Sequence, residues 1–415
     1  MRERTPPGRL DPDDTDDGGG ERPVLDLQAA RRDTPGCFDR VFLDSAGSSL
    51  PPAPVLETML AHLRREAEIG GYVAADERLD DLTAVKTSLG RLFDVPETSL
   101  ALSDGASRAW TSFFYAVPLR PGDRILISQA EYAANAIAAL QRARTTGATV
   151  EVVPSDPSGR VDVEALEGML DERVRLVSVV HAPTNGGLVN PVREIADAAH
   201  AVGALVLLDA CQSVGQLPVS VPELDVDALS GTGRKWLRGP RGTGFLYVRP
   251  RLVSELEPAV LDLHSASWTS ADSYELAPDA TRFEMWEAGV AARLGLGAAV
   301  DYLLDLGVDA VAEAVAYRAG HVREGLAGID GVTVTDLGEQ RSGIVSFTVD
   351  GRDPREVRDA LAERSVTVTV SSRSSTLLDM TSRDLQSVVR ASPHYFVSPA
   401  DVDRFLASVH DIARS

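Results

Sequence analysis

The chain has 415 residues, of which 44% are hydrophobic, 25% charged and 5% aromatic, so it is long enough for two or three domains with a sizeable core. This composition excludes collagen-like, coiled-coil and disulfide-scaffold proteins. The formal net charge of −21 would repel a phosphate backbone, so we expect no nucleic-acid partner. The two cysteines, Cys37 and Cys211, indicate a reducing compartment and leave no set for a multi-cysteine zinc site, and we predict no bound metal.

The sequence contains no recognisable membrane or secretion signal. No apolar stretch reaches the roughly 18 residues that a membrane helix needs. Residues 1–22 carry charges, proline and glycine where a signal peptide would have an apolar segment. We therefore expect a cytoplasmic protein without a membrane partner, in which residues 1–40 form a disordered or extended arm.

Strands and helices are predicted to alternate through residues 41–296. An extended segment at 41–44 and helices at 53–69 and 79–93 come first, and small polar residues then lead into a helix at 104–117. The strands predicted beyond this point are 124–128, 148–153, 174–181, 204–209, 226–229 and 243–248, with helices between most of them. This pattern indicates a large α/β domain whose mostly parallel sheet is covered on both faces. Such sheets bind ligands beyond the carboxyl ends of their strands.

The pattern changes near residue 297. Helices are predicted at 298–306, 308–329, 354–364 and 398–413, and strands at 332–335, 343–349 and 366–370. Residues 297–415 are therefore predicted to form a smaller α+β domain.

The basic residues are unevenly divided between 39 arginines and only two lysines, Lys86 and Lys235. An ordinary surface charge can be either residue, but an amine that must deprotonate and attack a carbonyl cannot be arginine. Lys86 lies in an amphipathic helical pattern and is interpreted as a solvated helix position. Lys235 lies in a glycine-rich loop, where functional groups are often displayed. We therefore predict that Lys235 carries amine chemistry.

Two further side chains precede Lys235 at the end of a buried strand. Asp209 ends the apolar run at 205–209, and Gln212 follows three residues later. Asp209 could simply cap a helix or turn, or its carboxylate could hold a heterocyclic nitrogen protonated. Together with a lone amine, these groups form the electron-sink arrangement used with pyridoxal phosphate. The segment 105–109 adds a predicted helix N-terminus suited to a phosphate.

At these residues the sequence resembles the class V aminotransferase family of pyridoxal-phosphate enzymes. That family includes cysteine desulfurases, isopenicillin N epimerase-like proteins and C–S lyases of ergothioneine-type pathways. The resemblance runs from about Phe42 to the carboxyl terminus. The segments that carry it, in the family's order, are FLDSAGSSLPP, SDGASRA, SQAEYAAN, HAPTNGGLVNP, DACQSVG, TGRKWLRGPRGTGFLY, RFEMWE and VRASPHYF. Each segment alone is weak evidence, whereas the ordered set is specific.

The resemblance implies the fold of pyridoxal-phosphate-dependent transferases (fold type I), with a seven-stranded, mostly parallel sheet. It implies pyridoxal 5'-phosphate as cofactor, bound covalently by Lys235, with Asp209 on the pyridine nitrogen and Gln212 on the phenolic oxygen. Tyr132 takes the place of a histidine that stacks on the ring in desulfurases. The residues that match phosphate-binding positions are Ala106, Ser107, Thr232 and Arg234.

The same resemblance places other residues near the cofactor or substrate. Arg390 matches the arginine that binds the substrate α-carboxylate, and Thr184 replaces an asparagine of the family. His181 lies near the cofactor, although it could equally be an ordinary strand-end histidine. Arg373 could contact a substrate tail or be a solvated loop arginine. Family members build each active site from both subunits, so the resemblance also implies a homodimer in which residues 282–289 cross to the partner.

One departure from the desulfurases bears on the reaction. Desulfurases carry a nucleophilic cysteine on the loop that precedes the carboxylate-binding arginine, whereas residues 371–380 read SSRSSTLLDM. A hydroxyl cannot accept sulfur as a persulfide, so we expect a C–S β-lyase that converts an S-substituted cysteine into a thiol, pyruvate and ammonia. An epimerase, a decarboxylative enzyme, an aminotransferase and a regulatory relative without turnover stay open as alternatives.

Overall fold

The first described segment contains a helix. The computed structural model describes residues 25–415, so most of the arm expected at residues 1–40 lies outside the described residues. Helix α1 (Leu27–Arg32) follows Asp26, whose carboxylate accepts hydrogen bonds from the first helical turn. Ala30 in this helix is fully buried. The expectation of a disordered or extended arm is wrong for this helix, because its capping and its packing stabilise it against the rest of the chain.

The next elements bring the chain to the central sheet. They are β1 (Val41–Phe42), α2 (Ser45–Ser48), α3 (Ala53–Ile69), α4 (Gly71–Asp76) and α5 (Leu79–Phe93). The predicted bounds of α3 and α5 are confirmed. Helix α4 was not predicted, because the two glycines before it indicate a break. Gly70 instead turns the chain with φ of +90°, a conformation that glycine adopts without strain, and the helix restarts.

Strands and helices alternate through the centre of the chain. The elements are β2 (Leu100–Ser103), α6 (Ala106–Ala116), β3 (Arg124–Ser128), α7 (Ala133–Thr146), β4 (Thr149–Val153), α8 (Val163–Met169), β5 (Val174–Val180), α9 (Val192–Ala201), β6 (Leu205–Asp209), α10 (Val221–Leu224), β7 (Ala228–Thr232), β8 (Gly244–Val248) and α11 (Pro250–Glu255). Six of these strands were predicted. The exception is β2, a four-residue strand with little β-branched character.

The seven strands form one sheet in the order β2-β8-β7-β6-β5-β3-β4. All pairs from β7 to β4 are parallel, and β8 runs antiparallel to both of its neighbours. The chain leaves β3 for β4 on one side and returns to β5 on the other. This reversal between β3 and β5 opens a crevice at the carboxyl ends of the strands, where α/β sheets bind ligands.

The sheet is buried on both faces. Side chains that alternate along β3 enter two different clusters: Leu126 packs in one apolar core, and Ile125 and Ile127 pack in the other. Helices therefore cover both faces, as the near-continuous apolar strands predict. This confirms the predicted mostly parallel α/β sheet.

A hairpin and two long helices follow the sheet. They are β9 (Ala266–Ser270), β10 (Ser273–Leu276), α12 (Val290–Leu306) and α13 (Val308–Ala327). Helix α12 packs closely on α3 and α5, and a Cβ added at Gly295 would lie 2.7 Å from Met59. Helix α12 runs through the predicted domain boundary between residues 296 and 297, so this boundary falls inside a single helix.

The carboxyl-terminal part contains a second, smaller sheet. Its elements and those around it are β11 (Val332–Val334), β12 (Val345–Val349), α14 (Pro354–Glu363), β13 (Val366–Thr367), β14 (Thr369–Ser372), α15 (Leu377–Ser382), β15 (Ser387–Ala391) and α16 (Pro399–Arg414). The antiparallel order is β11-β12-β15-β14. The predicted α+β character is confirmed, although the predicted strand at 366–370 is divided in two. Its first half, β13, pairs in parallel with β1.

No helix of the described residues combines the length and the apolar character that crossing a membrane requires.

Candidate active site

A cavity of about 430 Å³ lies at the carboxyl ends of β6 and β7 and the amino end of α6. Its volume falls in the range of small-molecule sites. The predicted site residues that line it are Ala106, Ser107, Tyr132, Thr184, Asp209, Gln212, Thr232, Arg234 and Lys235. The fold therefore brings together nine side chains that are spread over 130 positions of sequence, as the resemblance implies.

Asp209 lies at the last position of β6 with a largely buried carboxylate. One oxygen, Oδ1, accepts from the backbone N–H of Cys211 at 3.0 Å, and Oδ2 accepts from Nδ2 of Asn135 at 2.9 Å. Each oxygen keeps a further lone pair. The carboxylate is therefore held in place while it can still accept a hydrogen bond from a ligand in the cavity.

A second carboxylate lies behind the first, and the sequence analysis missed it. Glu131 is buried and accepts hydrogen bonds from Asn135 Nδ2 at 2.9 Å and from Ser178 Oγ at 2.8 Å. Burial raises the pKa of Glu131 to about 7. Its only sequence signal is an acid placed four residues before Asn135 in SQAEYAAN, a spacing that puts both side chains near one face at the start of α7.

Lys235 follows β7 in the loop between β7 and β8. The backbone of this loop is closed by a hydrogen bond from Gly239 N to Gly233 O at 2.7 Å. Burial lowers the pKa of Lys235, which increases the fraction of neutral, nucleophilic amine at a given pH. The cavity thus holds an amine of the kind that the lysine count predicts.

Lys86, the other lysine, does not line the cavity. Its Nζ lies 2.5 Å from the buried carboxylate of Glu284 and donates to Thr281 Oγ1 at 3.0 Å. The expectation of a solvated position is therefore wrong. The amphipathic pattern of α5 could not reveal a carboxylate brought alongside from a segment about 200 residues away.

The amino end of α6 forms the wall of the cavity near Ala106 and Ser107. No side chain caps this helix at Gly105, so its first N–H groups and its dipole are available to an anion. Strand β8 approaches closely here, since a Cβ added at Gly244 would lie 2.5 Å from the carbonyl carbon of Gly105. Arg234 lines the same cavity and donates to the carbonyl of Gly47.

Gln212 and Thr184 connect the cavity to the arginine predicted to bind a carboxylate. Gln212 Nε2 donates to Thr184 Oγ1 at 3.0 Å. Arg390 Nη1 donates to the same hydroxyl at 2.9 Å, and Nη2 donates to Asp44 Oδ1 at 3.1 Å. Arg390 is buried, and burial lowers its pKa and raises that of Asp44. Asp44 is a second residue that the sequence analysis missed, because it lies 346 positions from Arg390.

Three predicted residues lie outside the cavity lining: Arg390, which donates to the lining residue Thr184, and also His181 and Arg373. His181 is buried, and burial lowers its pKa to about 4, so its ring is neutral near pH 7. Arg373 donates from Nε to the carbonyl of Leu385 at 2.9 Å and lies near Asp384. The predicted roles of His181 near the cofactor and of Arg373 on a substrate tail stay predictions.

Cys211 is the one cysteine of the chain that lines the cavity. Burial raises the pKa of its thiol, which keeps it protonated and weakly reactive. Cys37 is buried at the end of the amino-terminal segment. In the described residues, no group of three His, Cys, Asp or Glu side chains is placed to hold a metal ion.

The donor set fits pyridoxal 5'-phosphate. Asp209 offers an ionisable acceptor for a ring nitrogen, the uncapped end of α6 offers N–H groups for a phosphate, and Lys235 offers an amine with a lowered pKa for an aldehyde. A sequence model described as "Aminotransferase class-V" matches residues 41–405, which is most of the chain. The chain belongs to the class V aminotransferase family. Pyridoxal 5'-phosphate is therefore its cofactor.

Curated proteins named as cysteine desulfurases match nearly the whole chain. A probable cysteine desulfurase of Methanothermobacter thermautotrophicus is 29% identical over 92% of this chain and 97% of its own length. Probable cysteine desulfurase 2 of Mycobacterium leprae is 31% identical over 93% of this chain and 96% of its own length.

Solved structures with similar coordinates share the fold of this chain. The cysteine desulfurase CsdA of Escherichia coli superposes with a TM-score of 0.87 at 23% identity, over 94% of this chain and 99% of its own. The cystine C–S lyase C-DES superposes with a TM-score of 0.83 at 23% identity, over 91% of this chain and 99% of its own. The predicted fold type I of pyridoxal-phosphate enzymes is confirmed.

Proposed function

We propose that this class V enzyme is a C–S β-lyase that converts an S-substituted cysteine and water into a thiol, pyruvate and ammonia. The observation that carries this proposal is the loop before Arg390. Its residues 371–380 hold no cysteine, and the thiol of Cys211, which lines the cavity, has a raised pKa. A β-lyase needs no protein thiol, because its leaving group departs as the free thiol.

The residues have complementary roles in this reaction. Bound pyridoxal phosphate supplies an electron-withdrawing ring that stabilises negative charge at the substrate Cα. Asp209 would accept a hydrogen bond from the protonated ring nitrogen. Lys235, whose pKa burial lowers, removes the Cα proton as a neutral amine. Arg390 exchanges its contact with Asp44 for the substrate carboxylate, which its planar guanidinium binds through two hydrogen bonds.

The remaining lining residues hold the cofactor. Tyr132, at the start of α7, would pack on the ring. Gln212 would donate to the phenolic oxygen in place of one of the hydrogen bonds that its Nε2 makes with Thr184 Oγ1 and the carbonyl of Ala46. Ala106, Ser107, Thr232 and Arg234 would surround the phosphate at the amino end of α6. Thr184 contacts both Gln212 and Arg390, so it couples the position of the cofactor to that of the substrate carboxylate.

Cysteine desulfurase is the second candidate. Relatives with that name match nearly the full chain, and Cys211 lines the cavity. In this reaction, sulfur passes from free cysteine to the Cys211 thiol as a persulfide, and alanine is released. The raised pKa of the Cys211 thiol disfavours this step, because a thiolate is the nucleophile that sulfur transfer requires.

A product assay separates the two candidates. The holoenzyme is given L-cysteine, L-cystine and a panel of S-alkyl cysteines; cystine is included because the neighbouring lyase C-DES acts on it. The lyase yields pyruvate, ammonia and thiol in equal amounts, and from cystine it yields cysteine persulfide as the thiol. We expect Cys211→Ser to keep at least half of this activity. Alanine and a persulfide on Cys211, both lost in Cys211→Ser, would establish the desulfurase instead.

The same assay, run in deuterated water, tests the other reactions. Exchange and inversion at Cα without thiol would indicate an epimerase. Carbon dioxide would indicate a decarboxylative enzyme, and keto-acid-dependent transfer of the amino group would indicate an aminotransferase. A holoprotein that turns over none of the substrates would favour a regulatory relative.

We also propose that the enzyme is a homodimer joined near residues 282–289. This segment borders a smaller cavity of about 220 Å³ that adjoins the cofactor cavity through Asp104, Arg108 and Gly242. Large apolar side chains nearby are exposed, Trp268 by 83% and Trp286 by 50%, as at an uncovered interface. Sedimentation of the holoenzyme at its assay concentration should show a dimer, and a fully active monomer would contradict the proposal.

A further inference from the structure

A continuous hydrogen-bonded chain extends from the cofactor cavity into the sheet. Asn135 Nδ2 lies 2.9 Å from Asp209 Oδ2 and 2.9 Å from Glu131 Oε1, so the two carboxylates are less than 6 Å apart. Glu131 Oε2 accepts from Ser178 Oγ on β5, and Oε1 also accepts from the backbone N–H of Tyr132. One amide therefore links the carboxylate in the cavity to a second carboxylate behind it.

Glu131 has no compensating cation. Among residues 25–415 no Lys, Arg or His forms a salt bridge with it, and the groups that face it from β5 and α7 are the neutral Ser178 and Asn135. The charged group that faces it is Asp209 on β6, which opposes its ionisation. Burying an ionised carboxylate without a partner raises the free energy of the folded protein. A cation that binds nearby reduces this penalty. A protonated ring nitrogen on Asp209 is such a cation.

We propose that Glu131, acting through Asn135, is a positioning residue that fixes the carboxylate of Asp209 and strengthens its hold on the protonated ring nitrogen of the cofactor. The inference rests on the proposed contact between Asp209 and that nitrogen. The negative charge of Glu131 attracts the ring cation, so ionised Glu131 raises the pH at which the ring nitrogen loses its proton. Since the pKa of Glu131 is raised to about 7, this support increases as the pH rises through neutrality.

The test uses Glu131→Gln, which keeps the shape and the acceptor for Asn135 but carries no charge. The holoenzyme is reconstituted with cofactor labelled with nitrogen-15 in the ring, and its nitrogen chemical shift and visible absorption are followed as the pH is raised. We expect the pH of half-deprotonation of the ring nitrogen to fall by about one unit relative to wild type. A residue that served only to support the fold would leave this midpoint unchanged, and that result would overturn the proposal.

Asn135→Ala provides the second variant, because it removes the bridge and keeps Glu131. We expect it to lower the same midpoint and to weaken cofactor binding several-fold, and a wild-type midpoint in this variant would also overturn the proposal. Asp209→Asn separates this inference from the one on which it rests. Wild-type ring protonation in Asp209→Asn would contradict the proposed role of Asp209 itself. Loss of ring protonation there, with wild-type behaviour in Glu131→Gln, would contradict only the role of Glu131.

Discussion

Lys235→Ala is expected to lose both the covalent attachment of the cofactor and all measurable turnover. The amine of Lys235 is the group in the cavity that can bond to an aldehyde and then return as a base, and alanine supplies neither function. The visible absorption of the holoenzyme should be absent. Borohydride followed by peptide mass spectrometry should find no cofactor bound to the chain.

Two control variants test whether the loss of activity is specific to the amine of Lys235. Lys235→Arg keeps the positive charge but cannot deprotonate, so it should be as inactive as the alanine variant. Lys86→Arg changes the other lysine, keeps a cation beside Glu284, and should retain colour and turnover. A cofactor that borohydride still fixes to Lys235→Ala would refute the assignment.

Asp209→Asn is expected to reduce kcat by roughly ten- to a hundredfold while the fold persists. The lost hydrogen bond to a charged group contributes roughly 1.5–3 kcal/mol. The new amide is also poorly placed, because both oxygens of Asp209 accept from N–H donors on Cys211 and Asn135. Its NH₂ group must therefore face one of these donors. The measurement is kcat together with the ring-nitrogen chemical shift.

A matched control exists at the other end of the neighbouring strand. Asp227 precedes β7, is fully buried, and pairs with His200 at 2.8 Å and Arg249 at 2.9 Å. Asp227→Asn should lower the melting temperature but leave the cofactor spectrum and kcat unchanged. Turnover of Asp209→Asn within about twofold of wild type, which is roughly 0.4 kcal/mol in the barrier, would exclude Asp209 as the partner of the ring nitrogen.

Local sequence was enough to place Lys235 and Asp209 in the predicted site, and both line the cavity. Lys235 is distinguished by chemistry, because an amine that deprotonates cannot be replaced by arginine. Asp209 is distinguished by its place after a buried apolar strand, since carboxyl ends of parallel strands meet at one edge of a sheet. The alternation of strands and helices predicted a sheet covered on both faces, because the hydrophobic pattern of each segment indicates which of its side chains are buried.

Residues whose roles depend on distant partners were not predicted. Asn135 reaches Asp209 across 74 positions, and Asp44 reaches Arg390 across 346. From the sequence alone, Glu131 resembles a surface acid. It is buried because the fold places it against Asn135 of α7 and Ser178 of β5. In the same way, Lys86 has the pattern of a solvated helix position until Glu284 is brought beside it.

The sequence by itself therefore determined the family, the α/β sheet, the cofactor and the lysine and aspartate at the centre of the site. The sheet and the two residues follow from residue types and from periodicities within single elements, whereas the family and the cofactor follow from the resemblance that the ordered motifs carry. The tertiary structure decided the strand order, the exclusion of His181, Arg373 and Arg390 from the cavity lining, and the chain of groups from Glu131 to Asp209. Each of these depends on which segments the fold places side by side, because a hydrogen bond forms only when its donor and acceptor lie within about 3 Å of each other.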